Sequence, residues 1–162
     1  MIKKERRIYH DLSEFIKDLR MVFSRRREIR PVIRGDIISP AFRERLMLTV
    51  TAVNECRYCS YGHARLALSQ GVSQDEIDAL CKGFFDGSPP EEVPALLYAQ
   101  HWAEECGKPD VMARDQVVAR FGEQIVDSIE MSLRLIQVGN LTGNTLDYIL
   151  HRISFGRLGA WK

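Results

Sequence analysis

The chain has 162 residues, of which 45% are hydrophobic and 28% charged, a composition that suits one folded domain and argues against disorder. Its 23 Lys and Arg residues nearly balance 22 Asp and Glu residues, and the net charge of +1 argues against a globally basic nucleic-acid binder. Four cysteines are too few for a secreted disulfide scaffold, and no apolar run approaches the length of a membrane span. The charged start lacks the apolar segment of a signal peptide, so we expect a cytoplasmic protein.

The first 34 residues form a basic segment. They contain eleven Lys and Arg against five Asp and Glu, a net charge of +6, whereas the remainder has twelve against seventeen, a net charge of −5. We expect residues 1–34 to be helical and to pack on the same domain as residues 35–162. The basic residues are interpreted as a solvated helix face that helps self-association, with a basic arm for an anionic partner as the alternative.

Helical periodicity runs through most of the chain and strand-like alternation is scarce, so the sequence predicts an all-α bundle of about eight helices. Apolar residues between positions 12 and 23 predict a first helix, with Ser13 as its candidate cap. Ser39 and Pro40 are typical of the start of a second helix. A third helix is expected over residues 56–69, ending at Gly71.

The second half of the chain follows the same pattern. Ser73, followed three residues later by Glu76, is a capping box that predicts a short fourth helix. Residues 83–90 form a loop rich in Gly and Pro. Further helices are expected at about 91–106, 110–120, 123–138 and 141–155. Residues 139–145 lack the Lys-Ser/Thr ending of a phosphate-binding loop, so we interpret them as a helix junction or a close helix crossing.

Cys56 and Cys59 form a CxxC pair at the expected start of the third helix. This spacing lets the sulfurs approach across one turn, and the amides and dipole at a helix N-terminus stabilise a thiolate. His63 follows Cys59 by four residues on the same helical face, where its imidazole can accept a thiol proton. Glu44, on the preceding helix, is a candidate to orient that imidazole. The dipole favours Cys56 as the attacking sulfur, whereas the spacing to His63 favours Cys59.

Glu44, Cys56, Cys59 and His63 together match the pattern Glu-x11-Cys-x2-Cys-x3-His. This pattern resembles the signature of the alkylhydroperoxidase D-like branch of the carboxymuconolactone decarboxylase superfamily. The resemblance covers roughly residues 40–80. It implies an alkylhydroperoxidase D-like helical domain over residues 35–162 and a homo-oligomer, commonly a trimer or a hexamer.

The resemblance also implies a thiol-dependent peroxidase. Cys59 would attack the peroxide, activated through His63 and Glu44, and would become a sulfenic acid. Cys56 would resolve that acid to a disulfide, which a dithiol donor, either a lipoyl-bearing or a thioredoxin-like protein, would reduce. Because decarboxylase members generally lack the cysteine pair, the two sulfurs argue against decarboxylation. We expect neither a bound cofactor nor a metal.

Tyr58 departs from the family pattern, since the best-known members often have histidine before the second cysteine. A phenol, with an ordinary pKa near 10, is a poor base. An alternative function is therefore a protein disulfide oxidoreductase or redox sensor with little peroxide turnover. A second alternative is a non-enzymatic oligomer in which Cys56, Cys59 and His63 bind a metal. The remaining cysteines, Cys81 and Cys106, are interpreted as packing residues on apolar helix faces.

Overall fold

The computed structural model describes residues 6–159, which form eight α-helices and no β-strand. The helices are α1 (Leu12–Ser24), α2 (Arg26–Arg34), α3 (Pro40–Asn54), α4 (Arg57–Ser69), α5 (Gln74–Cys81), α6 (Val93–Glu104), α7 (Val111–Phe121) and α8 (Glu123–Ile153). The predicted all-α class is therefore confirmed for the described residues.

Helices α3 and α5 begin where the sequence predicts, and for the predicted reasons. Ser39 Oγ accepts a hydrogen bond from the Phe42 N–H at 3.1 Å, and Pro40 is the first residue of α3. Ser73 Oγ accepts one from the Glu76 N–H at 3.2 Å. Each serine oxygen pairs a backbone donor that the helix itself leaves unpaired.

Two predictions in the N-terminal segment are corrected. Asp11, not Ser13, caps α1, because its carboxylate accepts the Glu14 N–H and the helix starts at Leu12. Aspartate serves this role as well as serine. Residues 26–34 are helical, as expected for the basic segment, but they form a helix of their own, α2, which was not predicted as separate because its sequence is mostly charged and contains Pro31.

Helix α8 runs unbroken through the junction predicted at Gly139. An interior glycine costs a helix only about 1 kcal/mol relative to alanine. Packing against α3, the most extensive helix–helix contact in the described chain, offsets that cost. The other interpretation of this segment, a close crossing allowed by Gly139 and Gly143, holds at Gly143, which lies against the CxxC pair, but not at Gly139, which has no neighbour within 4 Å of an added Cβ.

Helix α3 is the centre of the fold and packs against α4, α5, α6 and α8. Its apolar residues Leu46, Val50 and Val53 are all buried, and so are polar residues on its other sides. A helix enclosed on every side places any carboxylate it carries in the interior, where a charge needs a partner. Glu44 is such a carboxylate.

Helices α1 and α2 both contact α8, and α1 buries none of its residues. The division of the chain at residue 34 stays a prediction. In the part of the chain that the structure describes, no helix combines the length and apolar character needed to span a membrane.

Candidate active site

The CxxC pair lies at a tight connection between α3 and α4. Glu55 ends α3 in the left-handed region, with φ of 54°, and Cys56 is the N-cap of α4. The Cys56 sulfur accepts the Cys59 backbone N–H at 3.4 Å, and the two sulfurs lie 2.6 Å apart in hydrogen-bond contact. Both cysteines are free thiols. The connection thus holds the Cys56 sulfur at the positive N-terminal end of α4 and in contact with the Cys59 sulfur.

This arrangement shifts the pKa values of the two thiols in opposite directions. The hydrogen bond from the Cys59 thiol lowers the pKa of Cys56 to about 7, assisted by backbone N–H groups and the Arg6 charge and opposed by burial. The same hydrogen bond, together with burial, raises the pKa of Cys59. These opposite shifts favour ionisation of Cys56 before Cys59, in line with the dipole argument. The assignment of peroxide attack to Cys59 stays a prediction.

The lowered pKa predicts the pH dependence of Cys56 alkylation. Because only the thiolate reacts, the rate with iodoacetamide should rise with pH through a midpoint of about 7. Cys59→Ala removes the largest stabilising contact and should move the midpoint up toward the ordinary value near 8.5, whereas Cys59→Ser retains an O–H donor and should move it less. Mass spectrometry at Cys56, in a chain with serine at Cys81 and Cys106, measures this. An unchanged midpoint in Cys59→Ala would contradict the assigned hydrogen bond.

Glu44 and His63 form the second pair of the site. Glu44, only 2% exposed, accepts from His63 Nδ1 through Oε2 at 2.7 Å and pairs with Arg43 through Oε1 at 3.1 Å. A carboxylate only accepts, so His63 carries its proton on Nδ1 and leaves Nε2 as the basic nitrogen. Within residues 6–159, no hydrogen bond joins the His63 ring to either sulfur. The structure thus brings together the sulfur pair and the histidine–glutamate pair, and the step between them stays a prediction.

A buried aspartate on α8 anchors the residues between the two cysteines. Asp147, with no exposed surface, accepts from Tyr58 Oη at 2.9 Å and from Arg57 Nη2 at 2.6 Å. Its other oxygen accepts from Arg6 at 3.0 Å, and Arg6 also donates to the Glu55 carbonyl. Tyr58 is therefore tied to α8 rather than to the histidine–glutamate pair. Sequence reasoning missed Asp147, because nothing in a single sequence links positions 90 residues apart.

Gly143 of α8 packs directly against the CxxC pair. A Cβ added there would lie 2.9 Å from the Cys56 sulfur, whereas one added at Gly139 would meet nothing within 4 Å. Alanine at Gly139 should therefore stabilise the fold by about 1 kcal/mol through helix propensity. Gly143→Ala should instead destabilise the fold by about 1–3 kcal/mol, because the added Cβ overpacks against the Cys56 sulfur. Thermal unfolding of the two variants tests this, and equal stability would show that α8 does not press on Cys56.

The prediction that Cys81 and Cys106 are packing residues is wrong, because both are exposed. Cys81 is the last residue of α5 and Cys106 follows the end of α6, where apolar periodicity no longer indicates which side faces the core. Cys81 lies 3.8 Å from Ser60 Oγ. With Cys56 it borders a cleft of about 460 Å³.

The metal-binding alternative needs several ligating side chains close together. Among the described residues, no group of three or more His, Cys, Asp and Glu side chains is placed to hold a metal ion. No observation in this part of the chain favours the metal-binding alternative.

The fold and the site together define an all-α protein with a CxxC pair at the start of a helix, on which a partly exposed histidine pairs with a buried glutamate. The sequence model of the carboxymuconolactone decarboxylase family matches residues 27–105, just under half of the chain, including Glu44, Cys56, Cys59 and His63. Over these residues the chain is therefore similar to the carboxymuconolactone decarboxylase family, in agreement with the resemblance that the sequence pattern predicted. Neither a curated protein nor a solved structure matched the chain in the comparisons.

Proposed function

We propose that this protein is a thiol-dependent peroxidase of the alkylhydroperoxidase type, which reduces organic peroxides or hydrogen peroxide. The observation that carries the proposal is the contact between two free sulfurs, one with its pKa lowered to about 7, at the N-terminus of α4. Two thiols in contact can take up and return two electrons by forming and breaking one disulfide.

In the first step, Cys59 attacks one oxygen of the peroxide O–O bond. Cys59 is partly exposed, whereas Cys56 is only 1% exposed, so Cys59 is the more accessible residue of the pair. Its proton passes across the 2.6 Å contact to the Cys56 thiolate. The O–O bond breaks, the leaving oxygen takes a proton to become an alcohol or water, and Cys59 becomes a sulfenic acid.

The second half of the cycle regenerates the dithiol. Cys56 attacks the Cys59 sulfenic sulfur, water leaves, and the Cys56–Cys59 disulfide forms. A dithiol donor then reduces this disulfide by exchange and is itself oxidised to a disulfide. His63, held through Nδ1 by Glu44, leaves Nε2 to move protons to the leaving oxygens. The proposed donor is a lipoyl-bearing or thioredoxin-like protein, and the proposed compartment is the cytoplasm.

The proposed homo-oligomer, a trimer or a hexamer, is supported by exposed apolar side chains. Leu146, Ile149, Ile153 and Phe155 are all exposed on or just after the C-terminal part of α8. Contiguous exposed apolar residues of this kind commonly mark interaction surfaces.

The test is to mix reduced protein with cumene hydroperoxide or hydrogen peroxide and to follow thiol loss and disulfide formation. The proposal requires two thiols lost for each peroxide consumed, with Cys56 and Cys59 joined in the product. Repeated turnover should then appear when a dithiol is supplied. If neither cumene hydroperoxide nor hydrogen peroxide oxidises the cysteine pair faster than it oxidises a free thiol, the proposal is overturned.

The anchoring of Tyr58 to Asp147 favours a second candidate, a protein disulfide oxidoreductase. Tyr58, the residue before the second cysteine, is thereby withheld from the proton relay, while thiol exchange needs only the sulfur pair. This candidate requires reduction of insulin disulfides by the reduced protein together with negligible peroxide turnover.

A further inference from the structure

Helices α1 and α2 lie on the outside of the bundle. Both contact α8, yet α1 buries none of its residues and α2 buries only Val32. The half-buried residues Phe15, Asp18 and Val22 recur on one side of α1, which is its inner side. Val32 and the half-buried Ile29 mark the inner side of α2 in the same way. The opposite sides of both helices therefore face away from the bundle.

The outer side of α1 carries apolar residues where a solvated helix carries polar ones. Leu12, Ile16 and Phe23 are 68%, 38% and 66% exposed. At about 100° per residue they lie within a strip about 40° wide, and the strip is about 16 Å long from Leu12 to Phe23. On the outer side of α2, Ile33 is 62% exposed. Grouped exposed apolar side chains of this kind mark an interaction surface.

Arginines adjoin these apolar side chains. Arg20 lies beside the strip on α1, and the outer side of α2 carries Arg26, Arg27, Arg30 and Arg34. All five arginines are exposed, and none of them forms an ion pair with a carboxylate within residues 6–159. We call these five arginines and the four apolar residues the α1–α2 face.

The carboxylates of the same two helices lie off the α1–α2 face or are paired within the fold. Glu28 pairs with Arg25, and Asp18 accepts from Tyr9 Oη at 2.8 Å. Glu14 lies on the side of α1 away from the apolar strip. The α1–α2 face thus combines five positive charges with apolar surface and contains no negative charge.

This combination is complementary to an anionic membrane surface. Phosphate and carboxylate headgroups attract arginine, and the acyl boundary beneath them accommodates aliphatic and aromatic side chains. A nucleic acid would pair the arginines, but its phosphates and base edges leave leucine and isoleucine without a partner. An acidic protein would have to supply a groove for two helices that project outward, whereas a flat membrane meets them without one.

We propose that the α1–α2 face binds the surface of membranes that contain anionic phospholipids. Helix α1 lies parallel to the membrane plane, Leu12, Ile16 and Phe23 enter the boundary between headgroups and acyl chains, and the arginines pair with the headgroups. Such a helix lies on the membrane and does not cross it. The binding requires no thiol chemistry, so it holds or fails independently of the proposed peroxidase.

The test is flotation of the full chain with vesicles of phosphatidylcholine that contain about one-third phosphatidylserine. Vesicles of phosphatidylcholine alone are the comparison. We expect binding to the anionic vesicles to be at least about tenfold tighter at about 0.1 M salt, and this preference should disappear at about 1 M salt, where charges are screened within about 3 Å. Equal binding to both kinds of vesicle, or no binding to the anionic ones at about 1 mM lipid, would overturn the proposal.

Variants locate the binding surface. One arginine near an anionic membrane contributes about fivefold to binding, so Arg26→Gln, Arg30→Gln and Arg34→Gln combined should weaken it about 100-fold. Phe23→Ser should weaken it about tenfold or more, because the largest apolar side chain of the strip is lost. These residues are exposed, so the variants should keep the helical content and the unfolding temperature of the unaltered chain.

The matched controls remove the same groups elsewhere. Arg65, Arg120 and Arg157 are exposed arginines outside α1 and α2, and Phe84 is 59% exposed in a loop. Replacing these three arginines together by glutamine should change vesicle binding by less than about twofold, and so should Phe84→Ser. If the control variants bind as weakly as the variants of the α1–α2 face, net charge and general hydrophobicity explain the binding and the proposal is overturned.

A second copy of the chain is the other occupant that the experiment must distinguish. Sedimentation without vesicles compares the unaltered chain with Phe23→Ser and with the combined arginine variant of α2. An unchanged oligomeric mass supports the proposal, whereas a smaller mass in either variant shows that another copy covers the α1–α2 face and overturns it. Cys59→Ser should bind the anionic vesicles as the unaltered chain does, which separates this result from that of the peroxidase test.

Discussion

Cys59→Ser is expected to reduce the rate constant for peroxide consumption by about 10³-fold or more, because an alcohol does not replace a sulfur nucleophile at neutral pH. The substitution keeps a hydrogen-bond donor next to the Cys56 sulfur, so the local structure at the start of α4 should survive. Stopped-flow measurement of cumene hydroperoxide consumption by the pre-reduced protein gives the rate constant directly.

Cys56→Ser provides the complementary result. It should consume about one equivalent of peroxide and stop, leaving a Cys59 sulfenic acid that dimedone traps. Cys81→Ser is the matched control, because Cys81 is also a thiol bordering the cleft yet has no role in the proposed cycle. If Cys59→Ser consumes one equivalent of peroxide and Cys56→Ser consumes none, the low-pKa Cys56 is the nucleophile and the two roles are reversed.

The core of the site was predictable from sequence because its residues belong to local, regular structure. Cys56, Cys59 and His63 lie within two turns of one helix, so their spacing alone places them together. Ser39 and Ser73 cap helices through contacts three residues away, which is also local information. Glu44 was a candidate because it lies on the preceding helix, and its contact with His63 across two packed helices places it against the ring that it is predicted to orient.

What sequence reasoning missed depends on tertiary packing. The continuity of α8 through Gly139 is a case in which contact with α3 outweighs a weak local propensity. The exposure of Cys81 depends on how the end of α5 is turned, which periodicity cannot specify. Asp147 anchors Arg57 and Tyr58 across 90 and 89 positions, a relation that exists only after α8 has packed beside α4.

The surroundings of Tyr58, where the family often has histidine, likewise depend on tertiary packing. From sequence, a tyrosine in place of histidine weakens the proton relay. In the structure, Tyr58 donates to Asp147, and Arg6 joins that aspartate to the connection before Cys56. The charge of Arg6 is also among the causes that lower the pKa of Cys56. The position before the second cysteine is thus tied, through Asp147 and Arg6, to the connection that precedes Cys56, and the proposed cycle assigns proton transfer to His63.

Glu44→Gln is expected to lower kcat/KM for peroxide by about 10²-fold while the chain still folds. A neutral amide can occupy the same space, but it no longer stabilises a positive charge on His63, so the histidine becomes a poorer carrier of protons. The loss should fall mainly on kcat, because Glu44 is buried on α3 and is absent from the walls of the cleft next to Cys56.

The alternative explanation is that replacing any buried, paired glutamate would lower activity equally by destabilising the fold. Glu76→Gln is the matched control, because Glu76 is 5% exposed and pairs with Arg45 at 2.6 Å, but has no contact with His63 or either cysteine among the described residues. Both variants should lose about 1–3 kcal/mol of unfolding free energy. Only Glu44→Gln should lose activity, measured under conditions where both proteins are fully folded. Equal activity losses in the two variants would reduce Glu44 to a structural residue, and full activity in Glu44→Gln would remove it from the relay.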